Sequence, residues 1–248
     1  MSRRLPILLA ACTLSLGAQA QSAVAAETSD GALTMPQPFT TTYDLEWRGM
    51  GAGTSTLELA RIGGNEYSYR STNVARALFR FAFPNPITQA SRFVFEGGVI
   101  KPTSYHADDG TSKRDKDIDL EFDWRRMRAT GTSEQKPVDV PLQPGTQDAL
   151  SGQVSLMMEL SAGRSPQGFL LFDKTEVKEY RYVREGTATL DTPLGKLETV
   201  IYHSERTGSS RITRLWLAPS LGYLPVRGEQ LRNGRREFGL AIRSVKRH

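Results

Sequence analysis

Residues 192–242 read TPLGKLETVIYHSERTGSSRITRLWLAPSLGYLPVRGEQLRNGRREFGLAI, and this stretch decides the fold. Four strand-like runs are separated by turns whose residues can be named. Thr192-Pro193-Leu194-Gly195 suits a type I turn, because proline presets φ at the second position and glycine fits the fourth. Thr207-Gly208-Ser209 marks a second turn, and Pro219, Ser220 and Gly222 a third. Asn233-Gly234 is the strongest hairpin signal, since both residues tolerate positive φ. A meander of antiparallel strands is expected. Within it Trp216 shares a face with Ile212 and Arg214, while Leu215 and Leu217 occupy the other. Both faces are partly apolar, which fits a strand covered on two sides in a sheet that wraps around a helix or a bound apolar ligand.

Working outward, the same period of two recurs upstream. Phe39, Thr41, Tyr43, Leu45 and Trp47 alternate with Thr40, Thr42, Asp44, Glu46 and Arg48, as a strand with one wet and one buried face requires. Further strands are expected over 54–62, around Tyr67 and Tyr69, and over 87–96 and 99–106. Another is expected where Ile118, Leu120, Phe122 and Trp124 alternate with four acids, with its hairpin partner over 126–133. Pro137, Pro141 and Pro144 read as a closing loop. Residues 75–83, ARALFRFAF, do not alternate: Leu78, Phe79, Phe81 and Phe83 have only Arg76 and Arg80 to solvate them. The plain reading is a short helix or bulged strand packed on the core. The functional one is a lid or mouth of a hydrophobic pocket, or a patch that touches membrane.

One helix stands out among the strands. Asp148 is a suitable N-cap, Leu150, Val154, Met157 and Met158 recur at helical spacing, and Gly163 suits the C′ position. A single helix of about 13 residues cannot cover two sheets. The expected fold is therefore mainly β: one antiparallel sheet strongly curved into an open or nearly closed barrel, with this amphipathic helix packed on its concave side. Met157 and Met158 read as core; they could also line an adaptable ligand cavity.

Arg3 and Arg4, an apolar run over 5–16 and small residues ending in Ala18-Gln19-Ala20 form the three-part pattern of a secretory leader. Cleavage is expected after Ala20, with a second small-residue site near Ala26. Residues 21–38 read as a flexible tail and 39–248 as a single β-rich domain, about 228 residues remaining after the leader. The apolar run is short of the roughly 20 residues that span a bilayer. Cys12 in Leu9-Ala10-Ala11-Cys12 fits a lipoprotein signal, but the apolar run continues past it, so a cleavable leader and a periplasmic location are preferred. Cys12 is the sole cysteine, so no disulfide forms within the chain. Loss of Arg3 and Arg4 lowers the net charge of +5 to +3, a mildly basic surface that gives nucleic-acid binding little support.

Four stretches carry a family resemblance: residues 95–105 (FEGGVIKPTSY), 147–151 (QDALS), 192–195 (TPLG), and Trp216-Leu217-Ala218-Pro219 through Leu224-Pro225-Val226. In that order they resemble the bacterial family called "domain of unknown function 3108", over about residues 39–245. The resemblance implies an exported protein of Gram-negative bacteria with no established activity and no catalytic residue to carry over. The architecture is also similar to periplasmic lipoprotein carriers of the LolA and LolB kind, a fold-level analogy only.

No arrangement of nucleophile, acid, base or metal ligand is visible. His106, His203 and His248 lack metal-ligand spacing, and His106 near Asp108 and Asp109 reads as turn and surface charge. No catalytic residue, metal or cofactor is assigned. The expected function is a binding or carrier protein for a lipid-like amphipathic ligand held in the concavity of the sheet, with Tyr43, Trp47, Tyr67, Tyr69, Phe79, Phe81, Trp124, Met157, Met158 and Trp216 as candidate contacts. A scaffold or assembly factor for envelope proteins or glycan is the second expectation and an unrecognised hydrolase the third. A dry, filled core would favour the scaffold over the carrier. The basic residues near the C-terminus, among them Arg232, Arg235 and Arg236, read as a solvated strand face, or as contacts to lipid headgroups or glycans.

Overall fold

Alternating apolar and polar side chains become strand wherever the sequence sustains them, and a computed structural model of the chain, describing residues 31–248, joins fourteen strands into one antiparallel sheet. The expected leader, Cys12, both cleavage positions and residues 21–30 of the expected tail lie outside the described residues.

The first half comprises β1 (Phe39–Trp47), β2 (Met50–Gly63), β3 (Glu66–Ala75), the one-turn helix α1 (Phe79–Ala82), β4 (Ile87–Glu96) and β5 (Val99–Asp108). It continues through β6 (Ile118–Asp123), β7 (Arg128–Ser133) and β8 (Lys136–Pro141) to helix α2 (Ala149–Ser161). Then come β9 (Gly168–Asp173), β10 (Glu176–Thr192), β11 (Gly195–Glu205), β12 (Arg211–Ala218), a 3₁₀ turn at Pro219–Leu221, β13 (Leu224–Arg232) and β14 (Arg235–Arg247). The sheet order runs from β8 back to β1, then from β14 back to β9. Every neighbour is therefore a hairpin partner except β1 and β14, which pair Phe39 with Arg247 and Trp47 with Phe238.

The sheet curls without closing by hydrogen bonds, leaving β8 and β9 as its edges. Side chains and one short crossing draw the two halves together. Gln147 donates its amide to the Leu170 carbonyl and accepts from the Phe172 amide, both at 2.8 Å, which covers part of the β9 edge. The rings of Phe122 and Phe172 meet edge-on at 6.3 Å, and Lys174 Nζ lies 3.3 Å from Glu134 Oε1. The expected barrel-like, mainly β architecture is what forms.

Helix α2 lies in the concavity. Leu150, Val154, Leu156, Met157, Met158 and Leu160 are all buried, so the helix is apolar on more than one side and is enclosed accordingly. Val154, Met157 and Met158 join a core with Phe39, Tyr43, Leu59, Tyr69 and Phe93, while Leu156 and Leu160 pack with Tyr202 and Leu217. Both helix ends are satisfied locally. Asp148 Oδ1 accepts from the amides of Leu150 (2.8 Å) and Ser151 (2.9 Å), and Ser151 Oγ accepts from the Asp148 amide. At the other end Gly163, at φ 77°, and Arg164 donate their amides to the carbonyls of Leu160 and Glu159, the two bonds of a Schellman motif.

Two expectations are corrected. Residues 136–141 form strand β8 rather than loop, because an edge strand has one side without partners and so tolerates Pro137 and Pro141. Residues 79–82 are helical, but the turn is not packed on the core: none of its residues is buried. On β12 the expected two-sided burial is present. A register shift between Trp216 and Leu217 accompanies their burial in different clusters.

Candidate functional site

The ten candidate contacts fall into three environments. Tyr43, Tyr69, Met157 and Met158 are sealed in the core. The Tyr43 hydroxyl donates to the Pro225 carbonyl at 2.8 Å, and the Tyr69 hydroxyl accepts from Gln153 Nε2 of α2 at 2.8 Å. Burial pushes both phenols above their ordinary range, so they remain neutral hydrogen-bonding groups. Tyr67 and Trp124 are partly buried at the margins of that core, and Trp216 is buried within it. Tyr67 stacks on Phe93 at 5.9 Å, Trp124 Nε1 donates to the Pro102 carbonyl at 2.6 Å, and the Arg227 guanidinium lies 4.8 Å from the Trp216 ring centre.

The third group lies at the surface, with Trp47 and Phe81 exposed and Phe79 half-buried. Trp47 ends β1 and meets Phe79 edge-on at 5.8 Å, although 32 residues of chain separate them. The connection between β3 and β4 brings this about: the Arg76 amide donates to the Ala52 carbonyl at 2.8 Å, holding the segment beside the β1–β2 turn. Its single helical turn closes through Phe83 N to Phe79 O at 2.9 Å and stops before Pro84. Phe81 projects outward and is 91% exposed. Leu78, Val74, Met50 and Trp47 are exposed as well, giving an apolar rim at this end of the barrel. Fully burying one such phenylalanine is worth about 1.5–3 kcal/mol, which this conformation leaves unused.

The grooves in the surface are open and lined by both charged and apolar side chains. One, of about 340 Å³, runs between the β10–β11 turn at Pro193 and the strands carrying Asp44, Glu46, Arg227 and Arg236. Another, of about 550 Å³, lies among Arg48, Arg232, Arg235 and Glu237.

A charged ladder across β11–β13 and the β10 bulge was not legible from spacing. His203 Nδ1 lies 2.8 Å from Glu185 Oε1, and Arg214 grips both oxygens of Glu185, Nε at 2.5 Å and Nη2 at 2.9 Å. Arg214 also reaches Glu229 at 3.9 Å, and Arg181 pairs with Glu205. The Arg214 hydrogen bonds hold the Glu185 carboxyl below its usual range despite partial burial. Only the strand register, His203 opposite Arg214 and Arg214 opposite Glu229, assembles these residues. With both Glu185 oxygens engaged and no hydroxyl or thiol hydrogen-bonded to His203 in this set, the geometry is that of an ion-pair network.

Asp108, Asp109 and Asp117 bring carboxylate oxygens within 4.8 Å of one another, a spacing a cation could bridge. Arg114 occupies that role, at 2.7 Å from Asp117 and 3.5 Å from Asp108. Burial opposes ionisation of Asp109, but hydrogen bonds from Thr111 and the Lys116 amide outweigh it and hold its carboxyl low. The expected assignment to turn and surface charge is consistent with these bonds. His106 is exposed.

A curled antiparallel sheet around one buried helix, with an aromatic rim at one end, defines a barrel-like protein whose interior is occupied by its own side chains. The chain belongs to the family described as Protein of unknown function (DUF3108), matched over residues 42–239. Among solved structures it is similar to a beta-barrel-like protein of domain of unknown function DUF1849 from Brucella abortus, at 13% identity and a TM-score of 0.56, over 86% of this chain and 99% of that one. That likeness establishes the fold alone. Weaker likenesses join it to MucB in complex with MucA(peri), at 11% identity and TM-score 0.34, and to a Bacteroides fragilis protein with a YmcC-like fold, at 12% identity and TM-score 0.37. This chain covers 86% of itself and half of the MucB structure, and 87% of itself and all of the Bacteroides one. No curated protein matches the sequence.

Proposed function

We propose that this chain is an exported, non-catalytic binding protein of the cell envelope that holds the apolar part of an amphipathic ligand on the rim of its barrel, at Trp47, Leu78, Phe79 and Phe81. One observation carries this: Phe81 is 91% exposed beside the Trp47–Phe79 pair, while α2 and its neighbours fill the concavity where a carrier would house its ligand. The leader-like pattern over residues 1–20 supports export, and among the described residues no helix is long and apolar enough to cross a membrane. Of the candidate contacts, Trp47, Phe79 and Phe81 are thereby ligand contacts. Tyr43, Tyr69, Met157 and Met158 shape the core that supports them.

A second reading has its own observation. The filled interior favours a scaffold for envelope proteins or glycan over a carrier that houses its ligand inside the barrel, since a scaffold needs no cavity. Native mass spectrometry of the protein recovered from its own envelope, followed by solvent extraction, separates the two. The rim reading predicts a co-purifying amphiphile that is lost in a Leu78→Ser/Phe81→Ser variant. A bare chain that instead co-purifies a protein or glycan would replace it with the scaffold.

A further inference from the structure

The apolar rim is ringed by cations that the binding of a neutral amphiphile would not need. Between Val74 and Pro86 the charged side chains are Arg76 and Arg80, both exposed and with no acid among them. Arg48, in the adjacent turn, places its guanidinium 4.6 Å from the Trp47 ring centre. Across the β1–β14 pairing, where the Arg48 amide donates to the Glu237 carbonyl at 2.9 Å, the β13–β14 turn adds Arg232 and Arg235. Glu237 opposes them, 3.4 Å from Arg48 and 3.7 Å from Arg232, and leaves the other arginines in excess. The acidic loop after β5 lies at the same end, since the Asn85 amide donates to the Gly110 carbonyl at 3.3 Å. Arg114 already pairs with its Asp108 and Asp117.

We propose that this end of the barrel docks on the surface of an anionic bilayer. The inference rests on the rim reading above and names the partner of that rim. Aromatic rings with one polar flank settle at the level of lipid headgroups, and arginine guanidinium groups match phosphate oxygens in pairs. Membrane attachment that is more than marginal combines two signals, such as an apolar insertion and a basic patch, and this rim supplies both. Its shape fits a deformable surface better than a rigid protein partner: α1 is a projecting turn, with Phe81 at its outermost point, rather than a groove.

Co-sedimentation of the full chain with vesicles tests this. Wild type binds vesicles of mixed phosphatidylcholine and phosphatidylglycerol, binds pure phosphatidylcholine far more weakly, and loses affinity as salt rises from about 0.05 to 0.5 M. Arg76→Gln/Arg80→Gln lowers binding to the anionic vesicles roughly tenfold or more, about fivefold for each cation near the surface. Leu78→Ser/Phe81→Ser lowers it as well. All four positions are exposed, so thermal melts unchanged from wild type confirm that the variants fold. Equal partition onto both vesicle types, or undiminished binding by the arginine variant, overturns the proposal. Dodecyl maltoside binding separates the two levels of inference: a rim that binds this nonionic amphiphile but neither vesicle loses its membrane partner alone. A chain that binds neither amphiphile nor vesicle loses both.

Discussion

Ser91 Oγ, on β4, donates a 2.6 Å hydrogen bond to Asp148 Oδ2, the cap that starts the buried helix. The other Asp148 oxygen serves the first turn, so one carboxylate ties α2 to both its own backbone and the sheet. Asp148→Ala removes a cap, worth about 1 kcal/mol, and strands the buried Ser91 hydroxyl, worth about 1 kcal/mol more. Asp148→Asn keeps the capping oxygen and costs less. Urea unfolding of both variants checks the order.

The same carboxyl makes stability depend on pH. Burial raises the Asp148 pKa above the ordinary carboxylate value, against hydrogen bonds from Ser91 and Ser151 and the Leu150 amide. The folded chain therefore holds this proton more tightly than the unfolded chain. Its contribution is complete below the unfolded pKa near 4 and is lost as pH rises through the folded one. Unfolding free energies of wild type relative to Asp148→Asn, measured from about pH 4 to 7, fall with rising pH. A flat difference would contradict the assignment.

Core and rim respond differently to truncation. Met157 is fully buried, so Met157→Ala costs about 2–5 kcal/mol and lowers the Tm by several degrees. Phe81→Ser changes stability by no more than about 0.5 kcal/mol, since almost none of its ring is covered. Paired thermal melts read both. A large loss at Phe81 would place that ring in a contact the fold depends on.

The seam between β8 and β9 depends on apolar contact more than on charge. The Lys174–Glu134 pair is partly exposed, and breaking it by Lys174→Ala costs under about 1 kcal/mol. Phe172→Ala removes the edge-on contact with Phe122 and costs about 3–5 kcal/mol. Chemical denaturation of the two variants tests the ranking.

Much of this architecture is local and was therefore legible. Alternation over Phe39–Trp47, the Asn233-Gly234 hairpin, the turn at Thr192 and both ends of α2 are fixed by residues close in sequence. Pairing of Phe39 with Arg247 is not, because no short-range pattern says which distant strand completes a sheet. The exposure of α1 was open for a related reason. Four apolar residues in a short turn read the same whether a wall covers them or not, and it takes the folded chain to show Phe81 exposed in a segment held by Arg76 against Ala52. Glu185, His203, Arg214 and Glu229 lie on separate strands or their bulges, so their meeting depends on register alone.

The most direct test of the rim is to map where an amphiphile touches the folded chain. Backbone amide NMR of the protein titrated with dodecyl maltoside is predicted to show perturbations clustered at residues 47–52 and 74–83, with α2 unchanged. Perturbations centred on Val154, Met157 and Met158, with the rim unaffected, would contradict the account and return the ligand to the barrel interior.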